Sequence, residues 1–153
     1  MELTEQVVMN CLFADDAYVR KALPFIDREY FQSESNKTVF DLMKNHIEKY
    51  NELPTKDSLM ISLEDVNVSE NIYKESVEFI DYLNNQKEEH RNSQWQLDAT
   101  EKWCQDRAVY NAVMKSISII NDDGPDKGNM PKILSEALAV SFDSNIGHDF
   151  IVL

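Results

Sequence analysis

The sequence predicts an all-α protein, in which a compact helical bundle is followed by a long antiparallel helical hairpin. Three observations support this fold class. No stretch alternates apolar and polar residues with a period of two over the length of a strand. Apolar residues instead recur at spacings of three and four between candidate helix caps. Residues 93–121 contain neither Gly nor Pro, which predicts one helix of about 28 residues and roughly 42 Å.

The amino-terminal part of the chain is predicted to form five shorter helices, each with one apolar side. Asp15 and Asp16 separate the first two, Pro24 ends the second, and Thr55 and Ser69 are predicted caps of the last two. An aromatic connector runs from Phe25 to Phe31 between the second helix and the third. In order, the predicted helices cover residues 2–13, 17–23, 36–50, 56–64 and 70–83.

The carboxyl-terminal part is predicted to be the hairpin. Ser93 is the expected N-cap of the long helix, and a Gly/Pro/Asp-rich turn over residues 122–129 leads to a second helix that starts at Pro131. This second helix is expected to present Ile133, Leu134, Ala137, Leu138 and Phe142 on one face. We therefore divide the chain into a globular subdomain at 1–92, a hairpin at 93–150, and residues 151–153 as the start of a linker or the boundary of an excised piece.

The apolar line on the long helix suggests an oligomer interface. Ala99, Trp103, Asp106, Tyr110, Val113, Ile117 and Ile120 follow one another at spacings of four and three, as in a helix that packs against another helix. The alternative is that these residues only close the hairpin on itself and on the bundle. The predicted interface residues are Trp103, Tyr110, Val113, Ile117, Ile120, Ile133, Leu134 and Leu138.

Composition and motifs exclude several classes of function. With 15 basic and 28 acidic residues the net charge is −13, which disfavours tight binding to DNA or to an anionic membrane. Three glycines allow neither a phosphate-binding loop nor a dinucleotide fingerprint, so we expect no nucleotide hydrolysis. We assign no catalytic, cofactor or metal site, because the three histidines are isolated and the acidic turn at 122–126 lacks the calcium-loop pattern.

Cellular location is predicted from the cysteines and the amino end. Cys11 and Cys104 lie among apolar neighbours without a spacing motif, and we expect both to be reduced and buried. The amino end has no basic signal-peptide region, and no run approaches the roughly 18 apolar residues of a membrane span. These features are typical of a cytoplasmic protein.

Several segments, taken in chain order, resemble the amino-terminal domain of the DnaB-type replicative helicases. They are Glu5-Gln6-Val7 with Leu12-Phe13, Phe25-Ile26-Asp27 with Glu29-Tyr30-Phe31, residues 40–47, and Leu53-Pro54-Thr55 through Leu59 and Leu63. Residues 100–112 and 136–150 are similar to the replicative helicases of T-even phages in particular. The resemblance covers nearly all of this chain but only about the first third of such a helicase.

The resemblance implies a non-catalytic assembly domain. Hairpins of this family pair two subunits, and the pairs form a collar that stands on the ATPase ring and contacts primase in the cytoplasm of the infected bacterium. ATP and Mg²⁺ belong to the motor domain, which this chain lacks. The alternatives are a stand-alone truncated relative that regulates a helicase ring, or an acidic protein that imitates DNA and inhibits a host enzyme. The apolar Ile151-Val152-Leu153 is compatible with an excised piece or with a natural truncated relative.

Overall fold

A computed structural model describes residues 2–86, 93–122 and 125–142 of the chain. These residues form seven α-helices with short 3₁₀ turns, and none of them lies in a β-strand, which confirms the predicted all-α class. The helices are α1 (Leu3–Ala14), α2 (Asp16–Ala22), α3 (Glu34–Tyr50), α4 (Lys56–Glu64), α5 (Glu70–Gln86), α6 (Gln94–Asp122) and α7 (Met130–Leu138).

Side-chain caps fix several helix starts. The Asp15 carboxylate accepts a hydrogen bond from the Tyr18 amide at 3.1 Å, and Ser69 Oγ accepts one from the Ile72 amide at 3.2 Å. Thr55 and Ser58 form a reciprocal capping box at the start of α4. The prediction for α6 is right about the position of the cap and wrong about its hydrogen bond. Ser93 directly precedes the helix, but its buried hydroxyl has no hydrogen-bond partner within the described residues.

Helices α1 to α6 share one hydrophobic core, with α1 in contact with α2, α3, α5 and α6. The first half of α6 belongs to this core, because Leu97, Trp103 and Cys104 are all buried in it. The Tyr18 hydroxyl is 2.6 Å from Thr100 Oγ1, which ties α2 to α6 in the interior. The proposed division of the chain at residue 92 stays a prediction, because these contacts do not test it.

The two cysteines lie where the sequence indicates. Cys11 and Cys104 are completely buried and form no disulfide with each other. Burial raises the pKa of each thiol to about 12, which keeps both protonated and unreactive. None of the helices in the described part of the chain is long and apolar enough to cross a membrane.

One carboxylate lies inside the bundle. Glu5 is only 1% exposed, and its Oε2 accepts a hydrogen bond from Asn36 Nδ2 at 2.5 Å. Burial raises the pKa of Glu5 above its ordinary value, with a further rise from Glu2, although Asn36 and Arg107 oppose the change. A buried carboxylate of this kind favours the protonated form.

We predict that the wild type loses stability as the pH rises because Glu5 ionises, and that Glu5→Gln does not show this loss. The unfolded chain releases the Glu5 proton at the ordinary pKa, whereas the folded chain releases it at a higher pH, so this group stabilises the fold less and less between the two values. Urea unfolding of both proteins from about pH 4 to pH 8 should show the variant gaining stability relative to wild type across that window. A difference that is flat or falls with pH would contradict the argument.

Candidate oligomerisation surface

The side of α6 that faces α7 is built from small residues. Ala108, Ala112 and Ser116 follow one another at intervals of four, and each is buried. Ala137 of α7 packs against this row and is also buried. Small side chains let two helix backbones approach closely. Helices α6 and α7 are in contact along this part of the chain.

Contacts beyond α7 show that the chain runs back along α6. Gln105 Nε2 donates a hydrogen bond to the Val140 carbonyl at 3.0 Å, and Glu101 Oε2 accepts one from the Phe142 amide at 2.9 Å. The Phe142 ring stacks on Phe25 of the bundle with 4.9 Å between ring centroids. The two helices are therefore antiparallel, as predicted, although residues 123–124 of the connection lie outside the described residues.

The second helix of this pair is shorter than its apolar pattern suggests. It ends at Leu138, so Phe142 belongs to the segment that follows rather than to the helix face. Ile133 and Leu134 are partly buried against Ala108 and Ala112. Leu138, in contrast, is 75% exposed. Of the three predicted interface residues on α7, two close the helix pair and one faces solvent.

The opposite side of α6 carries large apolar side chains that the described chain leaves uncovered. We call the following five residues the α6 stripe, and each is between 42% and 53% exposed: Tyr110, Val113, Met114, Ile117 and Ile120. Their spacings of three and four place them on one helix face. Since α7 occupies the other side of the helix, the stripe has no covering helix within the described residues.

Trp103 begins the same line but lies in the bundle core. It is 3% exposed, packs against Phe31 at 5.2 Å between centroids, and meets Tyr30 edge-on at 6.0 Å. Its indole Nε1 donates a hydrogen bond to Glu2 Oε1 at 3.2 Å. Trp103 therefore anchors α6 within its own chain and has almost no surface left for a partner, in contrast to the other predicted residues of its line.

Polar contacts hold the base of the stripe in place. Arg107 Nε donates to the Tyr30 carbonyl at 2.8 Å, and Asn111 Nδ2 donates to the Glu29 carbonyl at 2.8 Å. The Arg107 guanidinium also lies over the Tyr110 ring, 4.9 Å from its centroid. These contacts tie the beginning of the stripe to the segment between α2 and α3.

Sequence reasoning missed two parts of this surface. Met114 belongs to the stripe, but it falls outside a line drawn at strictly alternating spacings of four and three. The row Ala108, Ala112 and Ser116 gives little hydrophobic signal, although its regular interval of four is visible in the sequence. Within the described residues, no group of three or more His, Cys, Asp or Glu side chains is arranged to hold a metal ion.

Comparison with known proteins identifies a phage relative of this chain. No family model matches the chain. The chain is 35% identical over 156 residues to a DnaB-like replicative helicase of Enterobacteria phage T4, which confirms the resemblance seen in the sequence. The match includes 95% of this chain but 32% of the helicase, so the chain spans about a third of the length of this relative.

We predict that Ala112→Leu destabilises the protein, because a larger side chain would push α7 away from α6. Overpacking of a close helix contact costs about 1–3 kcal/mol. Ala17→Leu is the matched control, since it makes the same change at an exposed position of α2, away from the stripe, and should change the free energy of unfolding by less than about 0.5 kcal/mol. Urea unfolding followed by far-UV circular dichroism measures both. Equal effects of the two substitutions would show that the small-residue row does not determine the helix packing.

Proposed function

We propose that this chain is the non-catalytic amino-terminal assembly domain of a phage replicative DNA helicase, and that it pairs with a second copy through the α6 stripe. The similarity to a phage helicase over almost the whole chain supports the family context of this proposal. The observation that carries the pairing function is the stripe itself, because it places five large apolar side chains on an exposed helix face.

An uncovered surface of this kind is unusual for a monomer. Exposed single apolar residues are common, whereas a contiguous apolar patch on a rigid element is typical of a protein–protein contact. The chain around the stripe is also nearly uncharged, since Lys115 is the only charged residue between Ala108 and Asn121. Two copies of a protein with a net charge of −13 would meet here with little local repulsion.

A two-fold arrangement accounts for a surface on a single helix. When two identical stripes face each other across a two-fold axis, each buries the other, and one contact satisfies both subunits. In this arrangement α7 remains on the outer side of α6, where it supports the helix. Leu138, at the far end of α7, is outside the stripe, and we assign it no role in the primary contact.

The remaining parts of the proposal concern the whole helicase. We propose that the paired domains form a collar on a motor ring, that this collar contacts primase, and that ATP and Mg²⁺ act only in the motor domain. The site of action would be the cytoplasm of the infected bacterial cell. The chain itself would contribute assembly rather than catalysis.

Ile117→Asp tests the pairing surface. We expect wild type to self-associate with rising concentration, and we expect the variant to bind itself at least about 100-fold more weakly, since an unpaired carboxylate in an apolar contact costs about 3 kcal/mol or more. Because Ile117 is 45% exposed, the variant should remain folded. Sedimentation velocity over a concentration series, together with far-UV circular dichroism, measures both properties.

The matched control is Ile61→Asp on α4, where the isoleucine is 66% exposed. It makes the same chemical change away from the stripe and should leave self-association unchanged. Leu134→Asp is a poorer probe, since Leu134 helps to close α7 on α6 and its replacement would disturb the fold. Wild type that stays monomeric at high concentration, or an equal effect of both Ile→Asp changes, would refute the proposed interface.

A further inference from the structure

The face of α6 that carries the stripe continues under the bundle at its amino-terminal end. Trp103 lies on the same line as Tyr110 and Ile117, and the rings of Phe31 and Tyr30 pack against it. In a parallel two-fold pair, each residue of α6 would face the same residue of the second copy. The covered ends would then meet where both bundles already fill the space. Pairing through the stripe therefore needs antiparallel α6 helices, with the bundles at opposite ends.

One flank of the stripe carries polar residues that are placed symmetrically about its centre. Four residues follow one another at spacings of four, seven and four, which puts them on one side of α6: Arg107, Asn111, Ser118 and Asp122. A two-fold axis perpendicular to α6, between residues 114 and 115, keeps like flanks on the same side of the pair. It places position 107 opposite position 122, and position 111 opposite position 118. The same axis crosses the middle of the stripe, which extends from residue 110 to residue 120.

The amino-terminal end of this flank borders a depression of about 710 Å³ between α6 and the bundle. Among the described residues that line it, Arg107 and Lys37 are basic and Glu29 is acidic. The depression is therefore locally basic in a chain whose net charge is −13. An acidic residue of a second copy would be attracted to it.

Arg107 is oriented for a contact of this kind. Its Nε donates to the Tyr30 carbonyl at 2.8 Å, and its guanidinium lies 4.9 Å from the centroid of the Tyr110 ring. Lys37 already contacts Glu29 at 3.3 Å, whereas Arg107 forms no ion pair in the described part of the chain. The N–H groups on the two terminal nitrogens of Arg107 can therefore bind an acidic group of a partner.

We propose that two copies of this chain pair with antiparallel α6 helices, so that Arg107 of each copy contacts Asp122 of the other. This inference rests on the pairing function proposed above and adds its direction and register. Asp122 is the last residue of α6, at the end of the helix away from the bundle. Within one helix the two positions are about 22 Å apart, so the contact cannot form inside a single chain. The pair contains two such contacts, one at each edge of the apolar stripe.

Charge exchange tests the contact. Asp122→Lys alone places a second positive charge against Arg107, and Arg107→Glu alone places a second negative charge against Asp122. Each variant should self-associate at least about tenfold more weakly than wild type, since both contacts in its pair become repulsive. A one-to-one mixture should form a mixed pair of wild-type strength, because both contacts in that pair join opposite charges. Sedimentation velocity at low salt measures the variants and the mixture, and far-UV circular dichroism checks that they are folded.

The matched control is Asp98→Lys, which makes the same charge change at an exposed position near the start of α6 and should not weaken association. Unchanged association of both charge variants, or a mixture that associates no better than they do, would overturn the proposed contact. If wild type stays monomeric, the pairing function fails and this contact fails with it. If wild type pairs and Ile117→Asp abolishes pairing while Asp122→Lys has no effect, the pairing function stands and the register is wrong.

Spin-label distances test the direction of the pair without changing Arg107, and they decide the proposal if Arg107→Glu does not fold. Lys102→Cys and Lys115→Cys introduce labelling sites at exposed positions outside the stripe, whereas the buried thiols of Cys11 and Cys104 are unreactive. Along the helix axis, the two copies of position 115 would be about 2 Å apart and those of position 102 about 38 Å apart. Double electron–electron resonance should therefore give a distance at least about 10 Å longer for the Lys102→Cys label. Equal distances at the two positions would indicate a parallel pair and refute the antiparallel arrangement.

Discussion

The packing of Trp103 in the bundle core determines how the rest of the molecule is arranged. This side chain lies against Phe31 and Tyr30 and donates a hydrogen bond to Glu2. It therefore joins α6 to the residue before α1 and to the connector between α2 and α3. Because α6 is one continuous helix, the same face that is buried at Trp103 continues outward to Tyr110 and Ile117. The bundle covers the beginning of this face and leaves its end exposed.

Helix α7 packs on one side of α6 and leaves the stripe on the other side exposed. Ala108 and Ala112 accept α7 on the side of α6 away from the stripe, and Ile133 and Leu134 fill the remaining space. Since the helix pair is already closed through this contact, the stripe is not needed to hold the two helices together. The large apolar residues of α6 are thus available to a partner, while the small ones provide the internal packing.

Much of the fold was predictable because caps and helical periodicity are local signals. Thr55 and Ser69 start helices where the sequence indicates, and the bounds of α4 agree with the prediction. The two faces of α6 are harder to predict from the sequence. Alanine and serine give a weaker hydrophobic signal than the large residues of the stripe, so the packing face is hard to separate from the exposed one. The burial of Glu5 cannot be read from the sequence for a different reason. A charged residue in an amphipathic helix is ordinarily expected to face solvent, and here tertiary packing buries it.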